Sequence, residues 1–276
     1  MKLSIILGII TSVAFPGVVW ALPPRGSSDP LVSRRSAQLQ QSNPNTRIEE
    51  LQPEASGASS NATIQFSGNW SGAVLVAPPE GEIFTSAVGT FTVPSLVPNG
   101  NDGAAAAWVG IDGDTFATAI LQAGVFFSVS GDTVQYGAWY EWWPNFATDI
   151  DTNVFPISAG DVITVNIDAT SNSEGTVSLI NQSSNTSFAI DLVAPTKLSV
   201  LGGQNAEWIV EDYTQNGGLV PLADWGTVTF VNASASTSAN NKISLQDATI
   251  FDIEQFNDIL TSVTIGSDSS VAISHT

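Results

Sequence analysis

Along most of this chain, apolar residues alternate with polar ones instead of recurring at helical spacing. Over 161–169, Ile163, Val165, Ile167 and Ala169 fall on one face of an extended strand, and Thr164, Asn166 and Asp168 fall on the other. That period of two marks a half-buried strand. The polar run 171–175 then returns the chain into 176–181, which predicts a hairpin. Similar short runs recur at 72–77, 86–93, 107–111, 136–143, 188–193, 206–210 and 228–231, punctuated by Gly, Asn, Asp, Ser and Pro. No segment reads as a long amphipathic helix. Many strands without intervening helices predict an all-β domain, an antiparallel β-sandwich or a closely related barrel.

Parity along each run assigns residues to faces. Trp108, Gly110 and Asp112 oppose the core-facing Val109 and Ile111, and Gly137, Trp139, Glu141 and Trp143 oppose Ala138, Tyr140 and Trp142. Glu207, Ile209 and Glu211 share a face, as do Ile120, Gln122 and Gly124, and Trp70, Gly72 and Val74. A plain solvent face does not usually collect Trp, and a plain core does not usually collect Asp and Glu. A curved sheet face used as a ligand groove wants both. Trp142 and Trp208, on the opposite parity, read as core.

Composition narrows the chemistry. The 276 residues hold no Cys and a single His, His275, which removes thiol nucleophiles and Cys or multi-His zinc sites. A Ser-His-Asp triad would need the C-terminal tail to fold back into the site. The formal net charge is -19, from 26 acidic and 7 basic residues, which suits neither nucleic acid nor an anionic membrane surface. Proton chemistry therefore falls to carboxyl groups.

Residues 1–21 carry a basic start, an apolar run and a small-residue exit, the pattern of a secretory signal peptide, with Pro16, Pro23 and Pro24 arguing against a membrane anchor. Residues 22–61 read as a prosegment or flexible leader, with four Arg balancing Asp29, Glu49, Glu50 and Glu54. The remainder, 62–276, has 22 acidic residues against Lys197 and Lys242, so the leader can serve as a counterion for a polyanionic domain. Asn61, Asn69, Asn181, Asn185 and Asn232 head glycosylation sequons, in keeping with an extracellular glycoprotein. Asp112-Gly113-Asp114 and Asp149-Ile150-Asp151 lack a complete calcium ligand pattern and read as turns; no metal or other cofactor is expected.

Six stretches in order, NWSGAVL at 69–75, FTVPS at 91–95, AWVGIDGD at 107–114, AILQAG at 119–124, AWYEWWP at 138–144 and NAEWIVED at 205–212, resemble the glutamic peptidases, or eqolisins, secreted acid endopeptidases found mainly in fungi. The resemblance implies a sandwich of two strongly bent antiparallel sheets, of concanavalin-like or jelly-roll type, with a concave substrate groove. It places the catalytic pair on Gln122 and Glu207, with Trp70, Trp108, Asp112, Trp139 and Glu141 around them as substrate-binding residues. Two departures stand out: the cysteines of well-known members are missing, and Phe126 and Gly137 occupy positions where acidic residues are expected.

Such a pair can hydrolyse an amide. Ionised Glu207 takes a proton from water and returns it to the leaving nitrogen, while the Gln122 amide donates to the oxyanion and its carbonyl orients the water. Gln carries no charge, so it does not raise its partner's pKa, and a Glu near 4.3 implies work in acid. The expected partners are protein or peptide substrates, acted on by a secreted monomer. Two alternatives remain at this level: a β-sandwich glycosidase pairing Glu141 with Glu207, and a noncatalytic lectin whose Trp residues stack on sugars.

Overall fold

The computed structural model describes residues 40–48 and 64–276; the signal-peptide reading, the rest of the leader and the Asn61 sequon lie outside the described residues. All regular structure among the described residues is β. The main strands are β1 (Ile64–Ser67), β2 (Trp70–Leu75), β3 (Phe84–Thr92), β4 (Gly103–Ile111), β5 (Ile120–Ser130), β6 (Thr133–Trp143) and β7 (Val162–Ala169). They continue as β8 (Glu174–Asn181), β9 (Thr186–Val193), β10 (Ala206–Glu211), β11 (Thr227–Thr237), β12 (Thr249–Gln255), β13 (Thr261–Ser267) and β14 (Ser270–His275).

Two sheets face each other. One runs β1-β12-β2-β10-β4-β5-β6, with Arg47–Ile48 added beside β1 and Thr148–Asp149 beside β6; the other runs β9-β8-β7-β3-β11-β14-β13. Neighbours are antiparallel throughout except β1 and β12, which pair in parallel. The predicted hairpin is present as β7–β8, with Ala169 opposite Gly175. Between the sheets, Val109, Ile111, Leu121, Val125, Trp142 and Trp208 from one meet Phe91, Ile163, Ile167, Leu179, Phe230 and Ile273 from the other. Trp142 and Trp208 are thus core residues, as their parity predicts, and each indole N–H finds a carbonyl, on Ser199 and Val88 respectively. Register shifts in β11 after Val231 and Ser236 bend the second sheet.

His275 ends β14 on the second sheet, edge-on to Trp225 at 5.4 Å, so the tail brings no imidazole to the other face. The sequons divide sharply. Asn185 and Asn232 are exposed, whereas Asn69 and Asn181 are buried and committed to internal hydrogen bonds, among them Thr46 N–H to Asn69 and Asn181 to Asp161. The folded domain therefore offers glycans only the first pair of these four.

Candidate active site

The face of the first sheet turned away from the core carries three rungs, each reading straight across five strands. The first is Val74–Glu207–Gly110–Gln122–Glu141, the second Gly72–Ile209–Trp108–Gly124–Trp139, and the third Trp70–Glu211–Ala106–Phe126–Gly137. Gln122 and Glu207 therefore share a rung two strand spacings apart, roughly 10 Å between backbones. Gly110 lies between them. A Cβ there would sit 2.8 Å from Glu207 Oε1 and 3.3 Å from Gln122 Cβ, so the bare backbone makes the room in which the two side chains face each other. Antiparallel register and period-two parity are sufficient to build this row from residues scattered over 134 positions of sequence, 74 to 207 inclusive.

Both functional ends of the pair are unengaged: Gln122 Nε2 and both oxygens of Glu207 are buried with no hydrogen-bond partner among the described residues. Burial raises the Glu207 pKa well above the ordinary carboxylate value, and the nearby Asp112 and Asp114 charges push it the same way. This differs from the sequence expectation of an unshifted Glu. A neutral Gln partner removes one source of repulsion, but desolvation is the larger effect here.

Residues 40–48, which the sequence reading assigns to a leader, cross this face. Gln40–Gln41 pairs with Thr214–Gln215, and Arg47–Ile48 pairs with Ser67 and Phe66 of β1. Between these anchors, Ser42 N–H donates to Glu141 Oε2 at 3.1 Å and Asn43 N–H to Glu211 Oε1 at 2.8 Å. The Ser42 hydroxyl reaches Gln122 Oε1 at 3.1 Å and also Glu211 Oε2. One hydroxyl proton cannot serve both. Burial raises the Glu211 pKa to about 8, against the pull of its hydrogen bonds from Ser42, Asn43 and Trp108. Trp108 Nε1 completes Glu211 at 2.9 Å, and Trp70 Nε1 donates to Asn43 carbonyl at 2.9 Å. Farther along, Asn45 N–H donates to the Gly113 carbonyl, and Arg47 forms a two-pronged ion pair with Asp114 while lying over the Phe251 ring.

The residues singled out from sequence thus divide. Gln122, Glu141 and Trp70 touch the leader directly, and Trp108 does so through Glu211. Trp139 lines a small cavity with Gln40, Gln41 and Ser42, its indole N–H free of partners among the described residues. Trp70 and Trp108 brace one another edge to face at 4.9 Å. Asp112 is used differently. Its two oxygens collect the backbone N–H groups of residues 202 to 205, tying the end of β4 to the loop that feeds Glu207 into β10. Glu211, Ser42, Asn43 and Asp114 were not in the sequence-derived set. The parity of β10 already put Glu211 on the face of Glu207, whereas nothing local in the leader marks Ser42.

Asp112 and Asp114 have their oxygens occupied by these backbone N–H groups and by Arg47 and Asn45, which fits the turn reading. The profile of the Peptidase A4 family matches residues 68–275. The chain is 40% identical over 225 residues to aspergillopepsin-2 of Aspergillus niger, spanning 74% of this chain and 77% of that protein. It is 35% identical over 220 residues to scytalidopepsin B of Scytalidium lignicola, spanning 78% and 79% respectively. The crystal structure of scytalido-glutamic peptidase with a transition state analog inhibitor aligns at a TM-score of 0.68 and 33% identity, over 76% of this chain and 98% of that one. The matched region contains all three rungs of the concave face, and on that ground the chain belongs to the Peptidase A4 family, the glutamic endopeptidases.

Proposed function

We propose that this protein is a secreted acid endopeptidase that hydrolyses protein substrates with Gln122 and Glu207, and that residues 22–61 are a prosegment holding it latent. The observation that carries the reading is a peptide, the chain's own 40–48, lying in the groove across a rung whose Gln amide and Glu carboxylate ends remain free. A substrate laid along the same path has its backbone N–H groups accepted by Glu141 and Glu211 and a carbonyl held by Trp70, and its scissile carbonyl comes to the Gln122 N–H. Water held on Gln122 Oε1 gives a proton to Glu207 and adds to the carbonyl carbon. The oxyanion takes the Gln122 N–H, and Glu207 then protonates the leaving nitrogen as the C–N bond breaks.

The leader occupies these contacts without completing that geometry. Its Ser42 hydroxyl takes the Gln122 oxygen that would orient the water, and Glu207 is fully buried while the segment is in place. Leader departure hydrates Glu207, which favours the charged form and brings its ionisation into the acid range where a general base is needed.

A glycosidase built on Glu141 and Glu207 fits less well. They lie three strand spacings apart, roughly 14 Å between backbones, with Gln122 between them on the same rung.

The test is cleavage of a denatured protein from pH 2 to 7 by acid-processed wild type, Gln122→Ala and Glu207→Gln, with folding checked by circular dichroism. Loss of at least about 100-fold in kcat in both folded variants is expected. Activity persisting in both would reject the pair, and absence of cleavage by the wild type would reject the peptidase.

A further inference from the structure

Phe126 and Gly137 face each other directly on β5 and β6, on the third rung of the concave face. The pair is one device. Gly137 has no side chain, and the Phe126 ring lies over its backbone so closely that a Cβ there would come within 2.4 Å of Phe126 Cε1. Any larger residue at 137 would force the ring up into the groove or out of it. The ring is packed from below by the cluster of Ala106, Trp139 and Tyr213, and it is half-buried, so one surface remains available.

That surface lines two adjoining spaces. The smaller contains Gln40, Gln41 and Ser42 along with Trp139 and Ala147. The larger, about 670 Å³, begins at Gln40 and continues past Phe126 toward Tyr213 and Val220, with neutral Ser128, Thr133 and Gln135 and the exposed Asp102 and Asp149 around it. Gln40 is two residues before Ser42, whose hydroxyl touches the catalytic Gln122. A peptide running in the leader's direction thus brings the side chain two positions N-terminal to that residue onto the Phe126 ring.

Resting on the peptidase reading above, we infer that Phe126, laid flat by Gly137, determines specificity at this subsite and selects long apolar side chains of the Leu, Met, Phe and Tyr class. A ring whose immediate neighbours on its rung are Ala106 and Gly137, with Glu211 one strand farther on, offers dispersion contact and dehydrated area to a methyl or aromatic group, and offers a carboxylate or a short side chain nothing equivalent. An apolar contact surface of this sort, set in an otherwise polar space, discriminates by roughly 10- to 200-fold in kcat/KM per fitted group.

The full chain, acid-processed, is tested with matched peptides carrying Leu, Phe, Ala, Lys or Asp at successive positions. For wild type, the Leu/Ala and Phe/Ala ratios of kcat/KM should exceed about tenfold at one position. In Phe126→Ala and in Gly137→Ala, which displaces the ring from the opposite strand, both ratios should fall to within about threefold of unity at that position and nowhere else. Equal ratios in wild type and both folded variants overturn the inference while leaving the peptidase standing, as does a loss spread evenly over all positions. A wild-type preference for Lys that disappears in Phe126→Ala also overturns it, because the ring would then be serving a cation. No cleavage of any peptide by wild type removes the enzyme reading and this one with it.

Discussion

At the residue scale the site depends on what is missing as much as on what is present. Glu207 and Gln122 flank Gly110 on one rung, and the backbone of β4 passes between them with no side chain to fill the gap. Gly110→Ala places a methyl 2.8 Å from both Glu207 Oε1 and Trp108 Cζ3. Those are side-chain atoms that can turn aside, so the fold should survive while the pair is displaced. A shift of about 1 Å in a reacting group costs on the order of 100-fold, and kcat/KM for Gly110→Ala should fall by about that factor. Circular dichroism and thermal midpoint serve as the control; a variant as active as wild type would mean that the pair does not work across this gap.

At the scale of elements, period-two parity was enough to sort β4, β5, β6 and β10 into a core face and a groove face, because each strand in this fold is long enough to show its alternation and has one face on the inter-sheet core. It could not say which strands pair, so the rungs that align Glu207 with Gln122 and Phe126 with Gly137 become visible only in the register. β12 is not legible in the sequence, since Thr249–Gln255 is buried over most of its length and its two faces do not separate. The seat of the leader is also out of reach: Ser42 meets partners 80, 99 and 169 residues away, and a polar segment with five prolines gives no local signal of such contacts. Four of the chain's seven basic residues fall in 22–61, balanced there by four acidic ones, and Arg47 with Asp114 is that segment's one ion pair among the described residues. The Asp114 side chain is fully buried and Arg47 is one-third exposed, so the pair is only partly screened. In an uncleavable Glu207→Gln background, Arg47→Ala should speed hydrogen exchange at the Ser42 and Asn43 amides by about tenfold. Unchanged exchange there would locate the leader's hold in the strand pairings alone.

Over the whole molecule, buried carboxyls share one direction of shift. Burial raises Glu211 to about 8, Asp212 to about 7 and Asp252 to about 6, and it also raises Asp112, Glu141 and Glu207. In the unfolded chain these groups release their protons near pH 4. Between that point and their folded values the native state holds more protons than the unfolded state, so its stability falls as pH rises. The stabilisation is complete below about pH 4 and is lost progressively through pH 6 to 8. Self-repulsion in a chain of formal charge -19 at neutrality acts in the same sense. Asp212 carries the effect next to the groove: it sits at the foot of the Thr214–Leu219 turn, where Gln255 Nε2 and the Val220 N–H oppose its upward shift, and its charge raises the neighbouring Glu211. A loss of several kcal/mol over this range should lower the thermal midpoint by at least about 10 °C between pH 4 and pH 8. Asp212→Asn keeps the bond from Gln255 and removes the titration, so its melting curve should fall less steeply between pH 4 and 7. Calorimetric scans at half-unit intervals decide the matter: a midpoint flat from pH 4 to 8 would mean that these carboxyls ionise in the folded protein without cost, and an Asn variant parallel to wild type would remove Asp212 from the account.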